Sequence, residues 1–125
     1  MTHAEYAGAI LVVDDHHPTR MAVVALLSAA FPSCRVLTAD SGEQALALCE
    51  TAAPHLVVMD ISLGSANGID ITRSITQRHP DTRVVMHSSN DQEIYRVASA
   101  AAGAAAFVAK SRTSRDLIPA IAALL

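Results

Sequence analysis

Apolar and polar positions fall into alternating blocks along this chain. Short runs of Val, Ile, Leu and Ala are each followed by a longer stretch with apolar residues at helical spacing. AILVVD (9–14) reads as a first strand, and PTRMAVVALLSAAF (18–31) as a helix that tolerates Pro18 in its first turn. CRVLTA (34–39) reads as a strand. SGEQALALCETA (41–52) reads as a helix, with Ser41 as N-cap and Gln44 completing a capping box. HLVVMD (55–60) is the third strand, and GIDITRSITQRH (68–79) the third helix, stopped by Pro80. TRVVMHSS (82–89) and DQEIYRVASAAA (91–102) form the fourth pair, ended at Gly103. AAFVAK (105–110) and SRDLIPAIAALL (114–125) form the fifth, where Pro119 is expected to kink the helix or shift its start.

Strands and helices alternating at short loop lengths predict an α/β fold, a single doubly wound (βα)5 domain with helices on both faces of a parallel sheet. The length of 125 residues fits one domain. Aromatics are only 3% and Trp is absent, so the core is built from Ala, Val, Leu and Ile. The Ala cluster around 98–106 reads as a small-residue packing surface. Charges interrupt every apolar segment before it reaches membrane-spanning length. MTHAEYAGAILVVDD has no basic segment ahead of its apolar run, so no signal peptide is expected and the chain is read as cytoplasmic. Cys34 and Cys49 have no metal-type spacing and are expected to be buried, reduced thiols. A net charge of −3 with scattered Lys and Arg argues against direct nucleic-acid binding by this chain.

In such sheets ligands bind at the carboxyl ends of the strands. Asp14 and Asp15 end the first strand, Asp60 the third, Ser88 and Ser89 the fourth, and Lys110 the fifth. Taken singly, each has an ordinary explanation as a cap or a solvated charge. Together, three converging carboxylates repel one another unless a cation relieves them. Oxygen ligands without His or Cys favour Mg²⁺ or Mn²⁺ over zinc. Such a site, with Lys110 as a second positive charge and Ser88 as a donor, suits phosphoryl transfer to Asp60 as nucleophile.

ILVVDD, VVMDISLGSANG, VVMHSSND and GAAAFVAK together resemble the CheY-like receiver domain of bacterial two-component response regulators. The resemblance covers essentially the whole chain, with 28 residues from Asp60 to Ser88 and 22 from Ser88 to Lys110. It implies the flavodoxin-like strand order 2-1-3-4-5. It implies Asp15 and Asp60 as direct Mg²⁺ ligands, with the backbone carbonyl of Ser62 as a third and Asp14 acting mainly through a water. It further implies that Asp60 accepts a phosphoryl group from a sensor histidine kinase, and that Ser88 and Lys110 hold its oxygens. Phe107, three residues before Lys110, matches the family's aromatic switch position; an ordinary core aromatic is the alternative. Helix four, strand five and helix five are the expected surface for an output domain or partner, with homodimerisation on phosphorylation a further expectation.

Gly64 stands where the family usually carries Pro, so that loop is expected to be more mobile. Ser111 replaces the Pro that often follows the Lys, so a trans bond is expected there. DDHHPTR is similar to the start of NarL/LuxR-type receivers, which precede a DNA-binding domain; on that reading the output domain is absent from this chain and the role is transcription regulation. Ser62 and Asn90 occupy the positions at which family members tune phosphoryl lifetime. A metal cluster of His16, His17 and His87 lacks ligand-type spacing, and His87 is expected to point away from the side of its strand that Ser88 takes. The competing functions are a stand-alone phosphorelay shuttle, a receiver-like module that is never phosphorylated, and an aspartate-nucleophile Mg²⁺-dependent phosphatase. Against the last, Ser62 occupies the position where such enzymes need a second acid.

Overall fold

The computed structural model describes residues 6–125. Residues 1–5, on which part of the leader reading falls, lie outside the described residues. The chain runs β1 (Ala9–Val13), α1 (His17–Ala30), β2 (Arg35–Ala39), α2 (Gly42–Ala52), β3 (Leu56–Met59), α3 (Gly68–Arg78), β4 (Arg83–Ser88), α4 (Glu93–Ala101), β5 (Ala106–Ala109) and α5 (Thr113–Ala122). The five strands form one parallel sheet in the order β2-β1-β3-β4-β5. This is the flavodoxin-like order, with the switch point between β1 and β3.

Every residue of β1 and β3 is buried, because helices cover both faces of the central strands. Edge strand β2 instead leaves Arg35 and Thr38 exposed. Side chains alternate between two cores, as the strand repeat requires. Leu11, Val57, Met59 and Met86 pack on the α2–α3–α4 side with Cys49, Ile69 and Ile75. Ile10, Val12, Val58, Val85 and Val108 pack on the α1–α5 side with Leu27, Leu117 and Ile121.

Helix starts follow the expected chemistry with two changes of detail. Ser41 Oγ accepts from the Gln44 N–H at 3.1 Å, but Gln44 Oε1 reaches back to the Asp40 N–H at 2.9 Å, one residue beyond the cap. The cap of α1 is His16, whose ring accepts from the Thr19 N–H, rather than either preceding acid. Helix α5 runs through Pro119, whose missing N–H removes one bond to the Arg115 carbonyl. Buried Leu117 and Ile121 anchor it on both sides of that gap.

Two short elements are additions to the expected pattern. Ser62–Leu63 pairs antiparallel with Ala66–Asn67, and Lys110–Arg112 forms a 3₁₀ turn between β5 and α5. One expectation is corrected: Cys49 is buried, but Cys34 is only half-buried, because it precedes an edge strand that one layer covers incompletely. Both thiols are free, and burial pushes that of Cys49 up to about 11. No peptide bond among the described residues is cis.

Candidate functional site

The central strands hold the acids rigidly. The Asp60 N–H donates to the Val13 carbonyl and the Asp14 N–H to the Ala39 carbonyl, both at 3.1 Å, so each acid continues the hydrogen bonding of its strand. Asp14 and Asp60 are 2% and 5% exposed, whereas Asp15 is open to solvent. One carboxylate oxygen from each of the three lies within 4.8 Å of the others.

Lys110 reaches this group from β5, two strands away from β3. Its Nζ donates to Asp60 Oδ2 at 2.8 Å and lies 2.9 Å from Asp14 Oδ2. Only the Asp60 contact has hydrogen-bond alignment, and Asp14 Oδ2 is buried without an aligned partner. Burial alone pushes the Lys110 pKa down, yet its close contacts with Asp60 and Asp14 and their charges outweigh that, and its pKa is raised. Three carboxylates against one ammonium leave this group with a formal charge of −2. An all-oxygen donor set and a residual charge that one ammonium does not cancel together fit a hard divalent cation. At the rim, Arg20 donates to the Asp14 carbonyl at 2.7 Å and its other nitrogen meets His17 Nδ1 at 2.9 Å.

The loop after Asp60 is shaped by two glycines. Gly64 has a φ of +62° at the first position of the two-residue turn joining Leu63 to Ala66, a conformation that proline cannot adopt. At Gly68 a Cβ would lie 1.8 Å from the Asp60 carbonyl oxygen, so only glycine lets the start of α3 pack against the backbone that carries the acid. The Asn67 side chain caps that helix by accepting from the Ile69 N–H at 2.8 Å.

The remaining residues singled out by sequence lie around this centre. Ser88 is buried at the end of β4, and its Oγ accepts from the Asn90 N–H at 3.1 Å. Asn90 Nδ2 in turn donates to Ser62 Oγ at 3.1 Å, linking the loops after β3 and β4. Phe107 is half-buried, with the Arg96 guanidinium 4.6 Å above its ring and a cavity of about 130 Å³ beside it. The Arg96 contact had no signal in the sequence, since its position belongs to no motif, and Arg20 was quoted within DDHHPTR without a role of its own. His87 is buried on the α1–α5 side, separate from His16 and His17 at the exposed start of α1. Burial and the Lys110 charge hold its imidazole down to about 4, against smaller opposing effects of Asp14 and Asp60.

A parallel sheet in this order with its charged residues gathered at the carboxyl edge is the architecture of a signal receiver. The chain belongs to the response regulator receiver domain family, whose model matches residues 10–122. It is 32% identical over 112 residues to the transcriptional regulatory protein DegU of Brevibacillus brevis, covering 90% of this chain and 48% of that protein. A LuxR family two-component response regulator from an Aurantimonas species superposes with a TM-score of 0.88 at 29% identity, over 95% of this chain and 85% of that one. The receiver domain of a NarL response regulator from Mycobacterium tuberculosis gives a TM-score of 0.85 at 27% identity, over 93% and 94% of the two chains. The chain thus resembles LuxR/NarL-type regulators, as DDHHPTR implied, and it spans about half the length of the regulators such as DegU that it matches. None of the helices is long and apolar enough to cross a membrane among the described residues.

Proposed function

We propose that this domain is a phosphoacceptor switch. Asp60 receives a phosphoryl group from a phosphohistidine of a sensor histidine kinase and the new state is read by an output domain. An Asp60 carboxylate oxygen attacks phosphorus, the P–N bond of the donor breaks, and an acyl phosphate forms while the donor imidazole leaves with the electron pair. The observation that carries this reading is the convergence of Asp14, Asp15 and Asp60 on one another, with Lys110 between the two buried acids. Asp15, Asp60 and the Ser62 carbonyl would hold Mg²⁺ or Mn²⁺ directly, with Asp14 acting mainly through a water, and the ion would supply charge neutralisation for the transferring group.

Each of the chain's own groups has a defined task. Lys110 offers an ammonium to the phosphoryl oxygens. Ser88, which accepts from Asn90, keeps its hydroxyl proton to donate. The phosphoryl group adds nearly two negative charges, and only a conformation that brings Ser88 and Lys110 onto it gains the resulting bonds. Phe107 moves inward with Ser88, away from the Arg96 guanidinium that now covers its ring. α4, β5 and α5 carry the change to the output, and phosphorylation brings two copies together. By analogy with regulators such as DegU the output is transcription control in the cytoplasm, through a DNA-binding segment other than this domain.

Incubation with a small acyl-phosphate donor, followed by intact mass measurement of wild type and Asp60→Asn, tests this directly. One phosphoryl adduct on wild type, lost with EDTA, absent from the variant and labile in base, is the expected result. No adduct with any donor would leave the fold standing and sink the phosphoacceptor reading.

A further inference from the structure

The β4–β5 ladder ends at the pair Ser88 and Ala109. One residue later the chain leaves the sheet, and Lys110 opens the 3₁₀ turn into α5. Strand pairing therefore does not fix Lys110 relative to Ser88, although both groups must meet the same phosphoryl oxygens. A side-chain link spans the gap. Thr113, the first residue of α5, donates its hydroxyl proton to the Lys110 carbonyl at 2.9 Å. A threonine hydroxyl has one proton, so its oxygen can only accept from His87 Nε2, 2.7 Å away. That use of the proton requires an N–H on His87 Nε2. His87 directly precedes Ser88 on β4 and is 2% exposed, while Thr113 is half-buried.

We infer that His87 and Thr113 form a tether that positions the Lys110 turn against the Ser88 end of β4, so that the two phosphoryl-holding groups act as one unit. The inference rests on the phosphoacceptor reading above. His87 and Thr113 are positioning residues: neither touches the acids in the described contacts, and both act through the backbone of Lys110. The neutral state expected of an imidazole buried beside an ammonium is the state the tether needs.

Thr113→Val removes the hydroxyl and keeps the shape, while Thr113→Ser keeps the hydroxyl. With Mg²⁺ and acetyl phosphate, Thr113→Val is expected to lower the maximal phosphorylation rate about fivefold, the equivalent of one neutral hydrogen bond, with donor half-saturation unchanged. Thr113→Ser should restore the rate. Imidazole ¹⁵N shifts at neutral pH should report the Nε2–H tautomer of His87 in wild type and Thr113→Ser, and a tautomer mixture in Thr113→Val. The nitrogen readout needs no phosphorylation, so it tests the tether even if wild type accepts no phosphoryl group. An Nδ1–H tautomer in wild type would overturn the tether. So would a Thr113→Val rate equal to wild type in a protein that is phosphorylated. Failure of Thr113→Ser to rescue would reduce Thr113 to a packing role and overturn it equally.

Discussion

The two edges of the sheet carry similar chemistry under different conditions. At the carboxyl edge, Asp14, Asp60 and Lys110 each directly follow the end of a strand, sit largely out of water, and hold two carboxylates on one ammonium. At the amino edge, Arg78 pairs with Glu50 at 2.6 Å beside His79, next to a cavity of about 330 Å³ lined in part by Pro54, His55 and Thr82. There both charged side chains are about half exposed or more. The amino edge is explained by local structure and solvation. The carboxyl edge is not: gathered like charges oppose folding, Lys110 offsets them with one ammonium for three carboxylates, and a cation that joins them offsets the rest. Unresolved electrostatic conflict, more than the presence of charge, separates the candidate site from ordinary surface.

The largest effect expected from this contrast is that of Lys110→Met. It leaves Asp14 and Asp60 buried without their shared cation, and breaking such a group by removing one partner costs about 3 kcal/mol. Urea denaturation in EDTA should show that loss. Added Mg²⁺ should then stabilise the variant more than it stabilises wild type, because the divalent ion takes over the neutralisation that Lys110 supplied. A loss below about 1 kcal/mol would mean that the carboxyl edge is as loosely coupled as a surface ion pair.

A second effect of nearly that size belongs to pH. The folded state holds His87 down to about 4, below its ordinary value of 6.5, so between those values the unfolded chain binds the proton and the folded chain does not. Stability is then fully present above pH 6.5, falls as the pH drops toward 4, and levels off below it as far as this group is concerned. The shift corresponds to about 3 kcal/mol across that window. Lys110 pushes the imidazole further down while Asp14 and Asp60 oppose it, so all three charges face the titrating ring. His87→Leu should flatten this part of the acid limb in a stability-versus-pH series, with the remaining slope left to other groups. An unchanged slope would remove His87 from the electrostatics of this edge.

The sequence carried much of this architecture for a physical reason. Strands buried on both faces, such as ILVV and LVVM, are apolar runs with little else in them, and each of the ten elements lies within a few residues of its expected bounds. The convergence of Asp14, Asp15, Asp60 and Lys110 was legible because parallel strands place their carboxyl ends on one edge. What was not legible depends on contacts distant in sequence or on backbone angles. His87 meets Thr113 across 26 residues with no periodic signature to announce it. The turn at Gly64 needs a positive φ that composition alone does not specify, and the ribbon it closes has no repeat long enough to read. His16 caps α1 although two acids with better capping chemistry precede it, because Asp14 is turned inward and its Oδ1 accepts the His16 N–H at 2.9 Å.

The smallest expected effect is the sharpest control. Arg78→Met removes the cation from the 2.6 Å pair with Glu50, a shorter contact than either made by Lys110. If distance set the energy, this variant would lose the most. Glu50 instead stays half exposed, and water replaces the guanidinium once it is gone. The cost should stay within about 0.5 kcal/mol and shrink further as salt is added. Denaturation of Arg78→Met and Lys110→Met side by side, at low and high salt, therefore separates contact length from burial. Equal losses would erase the distinction between the two edges. A large loss confined to Lys110→Met would place the energetic weight of the fold's charges where the candidate site is.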